Sequence, residues 1–205
     1  MIEFCMSDIK LNESIKALKI VLSKYLPDND DALKEVNKYF RYSEIKKNTV
    51  VHNHGNIFNY ILFIRKGLIR SYYLTDEGKD ICYYFFKEND IVCDFQSFIQ
   101  DTPSEYFFES LEDCEVITLK KKYIQLLYDT VPQMQILGRK LAEYAFLKVE
   151  NRLRMFMTQD LRSKYENIKK TEAEILARVP QYHIASYLGV TPEALSRFRS
   201  KKHNY

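Results

Sequence analysis

From Tyr42 to Leu119 turn signals recur too closely to admit a helix of ordinary length, and that spacing fixes what this stretch can become. Thr49–Val51, Tyr60–Arg65, Leu68–Leu74, Ile81–Phe86 and Ser110–Leu119 have the apolar, β-branched and aromatic content of short strands. Lys47-Asn48, Gly55-Asn56, Lys66-Gly67, Asp76–Lys79, Glu88–Asp90 and Thr102–Ser104 punctuate them. Parallel strands need crossovers of a dozen residues or more, usually helical, and none is present. The stretch is therefore expected to fold as an antiparallel sandwich or barrel.

On both sides the apolar period is helical. Ile15, Leu18, Leu22 and Leu26 make a stripe that stops at Pro27. Asp28 can cap a second helix, roughly Asp30 to Phe40, with Ala32, Leu33, Val36 and Phe40 on its apolar side. Beyond Leu119 the pattern returns, and Pro132 is suited to the start of a long helix running to about Lys164. Met134, Leu137, Leu141, Tyr144, Lys148, Asn151 and Met155 alternate spacings of three and four along it, a heptad seam weakened by Lys148 and Asn151. Ala145, Val149, Leu153 and Phe156 form a second stripe. A helix apolar on two faces has to be covered twice, by the body of the protein and by a partner helix. Homodimerisation through the first seam is the expectation, with a monomer's core helix as the alternative. Further on, Thr171–Glu174 has capping-box spacing and is expected to open a short helix ending near Arg178.

Charge is divided unevenly. Residues 139–205 carry 14 Lys/Arg against 7 Asp/Glu, whereas the preceding residues carry 17 against 21, so the basic end is the one suited to a polyanion. Cys5, Cys82, Cys93 and Cys114 show no CxxC spacing, and the last three sit in apolar runs where a small buried hydrophobe is the ordinary role. The longest apolar stretch is a few residues, as in Ile61–Ile64, too short for a membrane span or signal-peptide core. A cytoplasmic location and no membrane partner are expected.

The most informative segment runs from Val179 to Lys202. Pro180 can open a helix whose inner face is Ile184, Ala185 and Leu188, with Ala185 small enough for a second helix to cross closely. Gly189 supplies the positive φ that ends that helix, and Val190 plugs the corner. Thr191 as N-cap and Pro192 as first residue then start a second helix, with Leu195 and Phe198 turned inward. Glu193, Ser196, Arg197 and Arg199 remain outside. Two helices joined in this way form a helix-turn-helix, whose second member enters the major groove of DNA. Arg can bind guanine O6 and N7 with two hydrogen bonds, and Glu can accept from the cytosine amino group. The expected DNA-contacting set is Gln181, Thr191, Glu193, Ser196, Arg197, Arg199, Lys201 and Lys202. The competing reading of Glu193 and Arg197 is a surface ion pair within one helix.

Ile184-Ala-Ser-Tyr-Leu-Gly-Val-Thr-Pro-Glu-Ala-Leu-Ser-Arg-Phe-Arg199 resembles the DNA-binding signature of the Crp/Fnr superfamily of transcription regulators. Glu193, Ser196 and Arg197 match the family's E-x-x-S-R element, which reads bases in the anaerobic regulator. Gly55, Tyr60–Ile64, Gly67, Glu77-Gly78-Lys79 and Asp90 resemble the glycine-spaced framework of a cyclic-nucleotide-binding β-roll. The resemblance implies an α+β chain with three parts. Residues 1–130 would be a double-stranded β-helix (jelly-roll) sensor, 131–163 a dimerisation helix, and 164–205 a winged-helix or helix-turn-helix domain. It also implies a homodimer on near-palindromic double-stranded DNA, with RNA polymerase as a further partner.

The resemblance fails at one place. Cyclic-nucleotide-binding members carry a Gly-Glu pair for the ribose and an Arg-Ser or Arg-Thr pair for the phosphate. Here Cys93-Asp94 and Ser104-Glu105 fall at those positions, so a phosphate would lack its guanidinium and meet Glu105 instead. Cyclic AMP is not expected as the effector, and no cofactor is expected. The effector is unknown. The pocket either takes another small molecule, lined by Tyr83, Phe85, Asp94, Phe95, Phe98, Tyr106 and Phe108, or is filled by those rings. A cupin-like metal enzyme is the alternative class, because His52-Asn53-His54 has a metal-binding spacing. No Glu follows at the required distance, however, and solvent-facing imidazoles at a strand end are the simpler reading. No nucleophile elbow, phosphate loop or dinucleotide fingerprint is present, so the chain is not read as an enzyme. A roll acting through protein contacts alone is the remaining alternative.

Overall fold

The computed structural model describes residues 2–26 and 30–202, with side chains over 8–26 and 34–200. Two helices come first, α1 (Ile2–Leu22) and α2 (Asp30–Asn37). The proposed cap Asp28 lies outside the described residues. The strands are β1 (Arg41–Ile45), β2 (Val50–His52), β3 (Tyr60–Lys66), β4 (Ile69–Leu74), β5 (Asp80–Phe86) and β6 (Ile91–Val92). A short helix α3 (Phe95–Gln100) precedes β7 (Phe107–Ser110) and β8 (Cys114–Lys120). Helices α4 (Lys121–Thr130), α5 (Pro132–Thr158), α6 (Leu161–Thr171), α7 (Ala173–Arg178), α8 (Gln181–Leu188) and α9 (Pro192–Lys202) complete the chain. The strands form two four-stranded sheets, ordered β1-β8-β3-β6 and β2-β7-β4-β5, the jelly-roll arrangement that the resemblance implies. The expected run Ser110–Leu119 is interrupted at residues 111–113, and α3 is a helix the strand pattern did not announce.

Two compact units result, and their boundary differs from the expected 1–130, 131–163 and 164–205. The described residues to Arg70 together with Phe86–Tyr144 form the first; Ser71–Phe85 together with the described residues from Ala145 form the second. Most of the β4–β5 hairpin thus belongs with the C-terminal helices.

In the first unit β3 lies in the middle of its sheet and is buried on both faces. Leu62 and Ile64 enter the roll beside Phe58, Ile69, Phe108, Cys114 and Val116. Phe63 points to the opposite side and packs with Leu18, Leu22, Val36, Phe40, Ile117 and Leu119. Double burial explains why Tyr60–Ile64 reads as a continuous apolar run instead of alternating. Strand β8 follows the same division, with Val116 inward and Ile117 outward, and Phe63 pairs with Ile117 in register. At the β3–β4 turn Gly67 has φ +105°, and a Cβ there would stand 2.5 Å from Cys114 Sγ and 2.8 Å from the Asp113 carbonyl oxygen. Only glycine fits.

In the second unit Met155, Ile168, Ile175, Val179, Ile184, Leu188 and Leu195 are buried. Helix α5 stops at Thr158, short of the expected Lys164, because Asp160 begins a new helix by accepting the Ser163 N–H at 2.8 Å. Thr171 closes α6 rather than opening the next helix, its hydroxyl donating to the Asn167 carbonyl. Among the described residues no strand follows β8.

Candidate nucleic-acid interface

Helices α8 and α9 are built as their residue types dictate. Pro180, with ψ 141°, stands just before the helix as its cap rather than as its first residue. Gly189 ends it in the left-handed region at φ 73°, its N–H donating to the carbonyls of Ala185 and Ser186. A side chain at Gly189 would also press on the Phe156 ring, 3.0 Å from the Cβ position. Val190 N–H donates back to Ala185, closing the corner. The Thr191 hydroxyl then accepts from the Ala194 N–H at 3.2 Å, which makes Thr191 the N-cap of α9. Ala185 and Leu188 are completely buried and Leu195 almost so. Phe198 packs edge-on against Tyr165 of α6, with centroids 5.3 Å apart.

Outside this bend Gln181, Thr191, Glu193, Ser196 and Arg197 are exposed, and Arg199 is half-buried. The side chains of Lys201 and Lys202 lie outside the described ones. The Glu193 carboxyl is held below its ordinary pKa by its own backbone N–H, by the Thr191 hydroxyl and, more weakly, by the charge of Arg197. The face therefore offers acceptors at the first turn of α9 and a guanidinium one turn on.

The effector candidates are divided between the two units. Tyr83 and Phe85 belong to the second unit, where the Arg152 guanidinium lies 5.8 Å from the Tyr83 ring and Phe85 meets Tyr187 at 5.0 Å. In the first unit Phe95 is exposed, and Phe98 packs with the outer helices. Asp94 is buried as the cap of α3, accepting from the Ser97 N–H at 3.2 Å. Only Tyr106 and Phe108 join the cluster inside the roll. There Phe58 lies 4.4 Å from Tyr60, 4.9 Å from Phe108 and 4.5 Å from His52, ring centre to ring centre.

His52 is buried, contrary to the solvent-facing reading. Its Nε2 is 3.2 Å from the Asn56 carbonyl oxygen and its Nδ1 3.3 Å from the Tyr60 hydroxyl. Burial holds the imidazole pKa down, against the opposing pull of the Asn56 carbonyl and the Asp94 charge. His54 stacks separately on Phe107. At the position where the resemblance puts a phosphate-binding Arg, the buried Ser104 hydroxyl bonds within its own turn to Tyr106. Glu105 is exposed, so the objection to a bound phosphate rests on the missing guanidinium and not on repulsion by Glu105. A charged pair that sequence reasoning missed lies in this unit. Arg70, 5% exposed, donates from Nε at 2.9 Å and Nη2 at 2.8 Å to one carboxylate oxygen of Glu109.

On α5 the predicted seam is divided. Met134 and Leu137 are buried in the core of the first unit, with Leu141 partly buried beside them. Met155 is buried, and Lys148 is half-buried with its Nζ over the Tyr84 ring. Only Tyr144 and Asn151 of that row are exposed. The exposed apolar row is a different one: Phe146 at 69%, Val149 at 52%, Leu153 at 58% and Met157 at 77%. It shares Val149 and Leu153 with the second stripe.

Residues 42–130 match the model of the cyclic nucleotide-binding domain. Over 80–85% of its residues the chain has the fold of the Crp/Fnr transcription regulators. FixK2 from Bradyrhizobium japonicum is similar over 80% of this chain and 85% of its own, with TM-score 0.65 and 18% identity. A putative transcriptional regulator of the Crp/Fnr family from Eubacterium rectale gives TM-score 0.64 at 20% identity, over 82% of this chain and 81% of its own. CLP of Xanthomonas campestris, a c-di-GMP-responsive global regulator, gives TM-score 0.66 at 15% identity, over 85% and 92% respectively. No curated protein matches the sequence. Among the described residues no helix is long and apolar enough to cross a membrane.

Proposed function

We propose that this protein is a homodimeric transcription regulator that reads a near-palindromic DNA site through α9. The observation that carries the reading is the α8–α9 bend, which buries Ala185, Leu188 and Leu195 and leaves Glu193, Ser196 and Arg197 exposed together. Helices crossed in this way place the first turns of the second helix against base edges. Arg197 supplies the bidentate donor for a guanine and Glu193 an acceptor for a cytosine amino group. Arg199 and the Lys201-Lys202 tail supply phosphate contacts, which position the protein without reading sequence.

The dimer is assigned to the exposed row Phe146, Val149, Leu153 and Met157, whose spacing of three and four residues is that of a helix–helix seam. A row this apolar and this exposed is stable in water only when covered. Two copies joined there present two reading helices to half-sites about 34 Å apart. The ring cluster around Phe58 favours a roll filled by its own side chains over one open to cyclic AMP. The roll also bonds His52 and Ser104 within itself, and no observation favours the cupin-like enzyme.

Selection of duplexes from a randomised pool by the full chain tests this reading. A two-fold symmetric motif is expected; a pool that stays random under selection would remove the DNA assignment.

A further inference from the structure

Strand β5 is the edge of its sheet. An edge strand presents backbone groups that need partners, and here one partner comes from a residue more than a hundred positions away. The Cys82 N–H donates to Ser186 Oγ at 2.8 Å, and the same hydroxyl is placed to donate to the Asp80 carbonyl oxygen at 3.2 Å. One serine of α8 thus takes the place of a neighbouring strand. The next residue adds a second joint. The Tyr187 ring packs on Phe85 with centroids 5.0 Å apart and lies 3.8 Å from the Arg152 guanidinium of α5. That guanidinium also faces Phe156 at 4.9 Å and Tyr83 at 5.8 Å. Its Nη2 points to the Tyr187 carbonyl at 3.4 Å, and its buried Nη1 has no hydrogen-bond partner among the described residues.

We infer that the β4–β5 hairpin is a working part of the DNA-reading unit, and that Ser186 and Arg152 lock α8 to it and so set the presentation of α9. These are positioning residues. The lock grips α8 from a side that leaves Glu193, Ser196 and Arg197 exposed, so it orients the reading face and does not cover it. The two strands of the hairpin brace the helix that precedes the bend. Arg152 is the node, because its planar cation can meet rings from the hairpin, α5 and α8 at once. A lysine keeps the charge but loses the planar stack.

The inference rests on the DNA-reading assignment, and thermodynamic reciprocity supplies its test. If the lock favours DNA binding, DNA binding must tighten the lock by the same factor. The exchange rate of the Cys82 amide reports the Ser186 bond directly. In the wild-type chain, adding a duplex recovered from the randomised pool is expected to slow Cys82 exchange. Ser186→Ala is expected to speed Cys82 exchange while Phe63, deep in the other sheet, keeps its rate. Ser186→Ala and Arg152→Lys are each expected to weaken DNA binding about three- to tenfold, the range of one net hydrogen bond. Both variants should retain the salt slope, because no phosphate contact is removed. Failure to recover any duplex overturns the DNA assignment and the coupling with it. A recovered duplex that leaves wild-type Cys82 exchange unchanged, or speeds it, overturns the lock alone. So does unaltered DNA affinity in both variants.

Discussion

Arg197 stands one helical turn beyond Glu193 on α9, and both are exposed. Replacing it by alanine is expected to cost about 1–3 kcal/mol at a single base pair and to relax preference there. Competition binding with duplexes altered at one position measures this; unchanged preference at every position would reassign the reading face. The buried Arg70–Glu109 pair makes a prediction about stability. Glu109→Ala removes a carboxylate that takes two bonds from a guanidinium shut away from water, at an expected cost of about 3 kcal/mol in urea unfolding. His52 gives the pH dependence. Its folded pKa lies below the ordinary 6.5, so the unfolded chain takes up the proton more readily. The stability it contributes is complete above about pH 6.5 and is lost as pH falls toward the lower folded value. Between pH 7 and pH 5 the wild-type protein should lose more stability than His52→Gln, as compared by denaturant midpoints at the two pH values.

At the scale of the element, α5 shows how one helix serves two purposes. Its first half places Met134 and Leu137 in a core, and its second half leaves Phe146, Val149, Leu153 and Met157 in the open. The heptad argument identified a two-faced helix correctly, but chose the row by spacing alone. Both rows repeat at three and four residues, and nothing local to the sequence says which one the chain's own body covers. Leu153→Asp is expected to yield monomers in sedimentation, since a carboxylate in an apolar seam costs about 2 kcal/mol or more per chain. Leu141→Asp, on the partly buried row, should instead lower the melting temperature. A Leu153→Asp protein that sediments as a dimer would move the seam elsewhere. The end of α5 was legible in principle. Asp160 with Ser163 three residues on is a capping pattern, and an unbroken apolar period hid it.

For the whole molecule, what the sequence disclosed depended on range. Turn spacing, doubly buried strands and the Gly189-Val190-Thr191-Pro192 corner are local and could be read from the residues themselves. The allotment of the hairpin to the C-terminal unit could not, because it turns on contacts such as Cys82 with Ser186, 104 positions apart. The division of the pocket candidates between the units was hidden for a related reason. Period-two reasoning tells which residues share a face, but not that Tyr83 and Phe85 meet Arg152 and Tyr187. Charge is a whole-molecule property that sequence does give. With 14 Lys/Arg against 7 Asp/Glu after residue 138, DNA affinity is expected to fall steeply with salt. Lys201→Ala should weaken all duplexes alike and reduce the slope of log affinity against log salt by about one. A slope unchanged in that variant would take the tail off the phosphate backbone.

The Arg70–Glu109 pair has a bearing on which signals the roll can receive. A guanidinium already held by a carboxylate of the neighbouring strand is not waiting for a ligand. An incoming anion would compete with an internal rival whose local concentration is on the order of millimolar or higher, and would leave Glu109 stranded if it won. A messenger that acts on this roll is therefore better suited to be neutral or cationic, engaging the acid rather than displacing it.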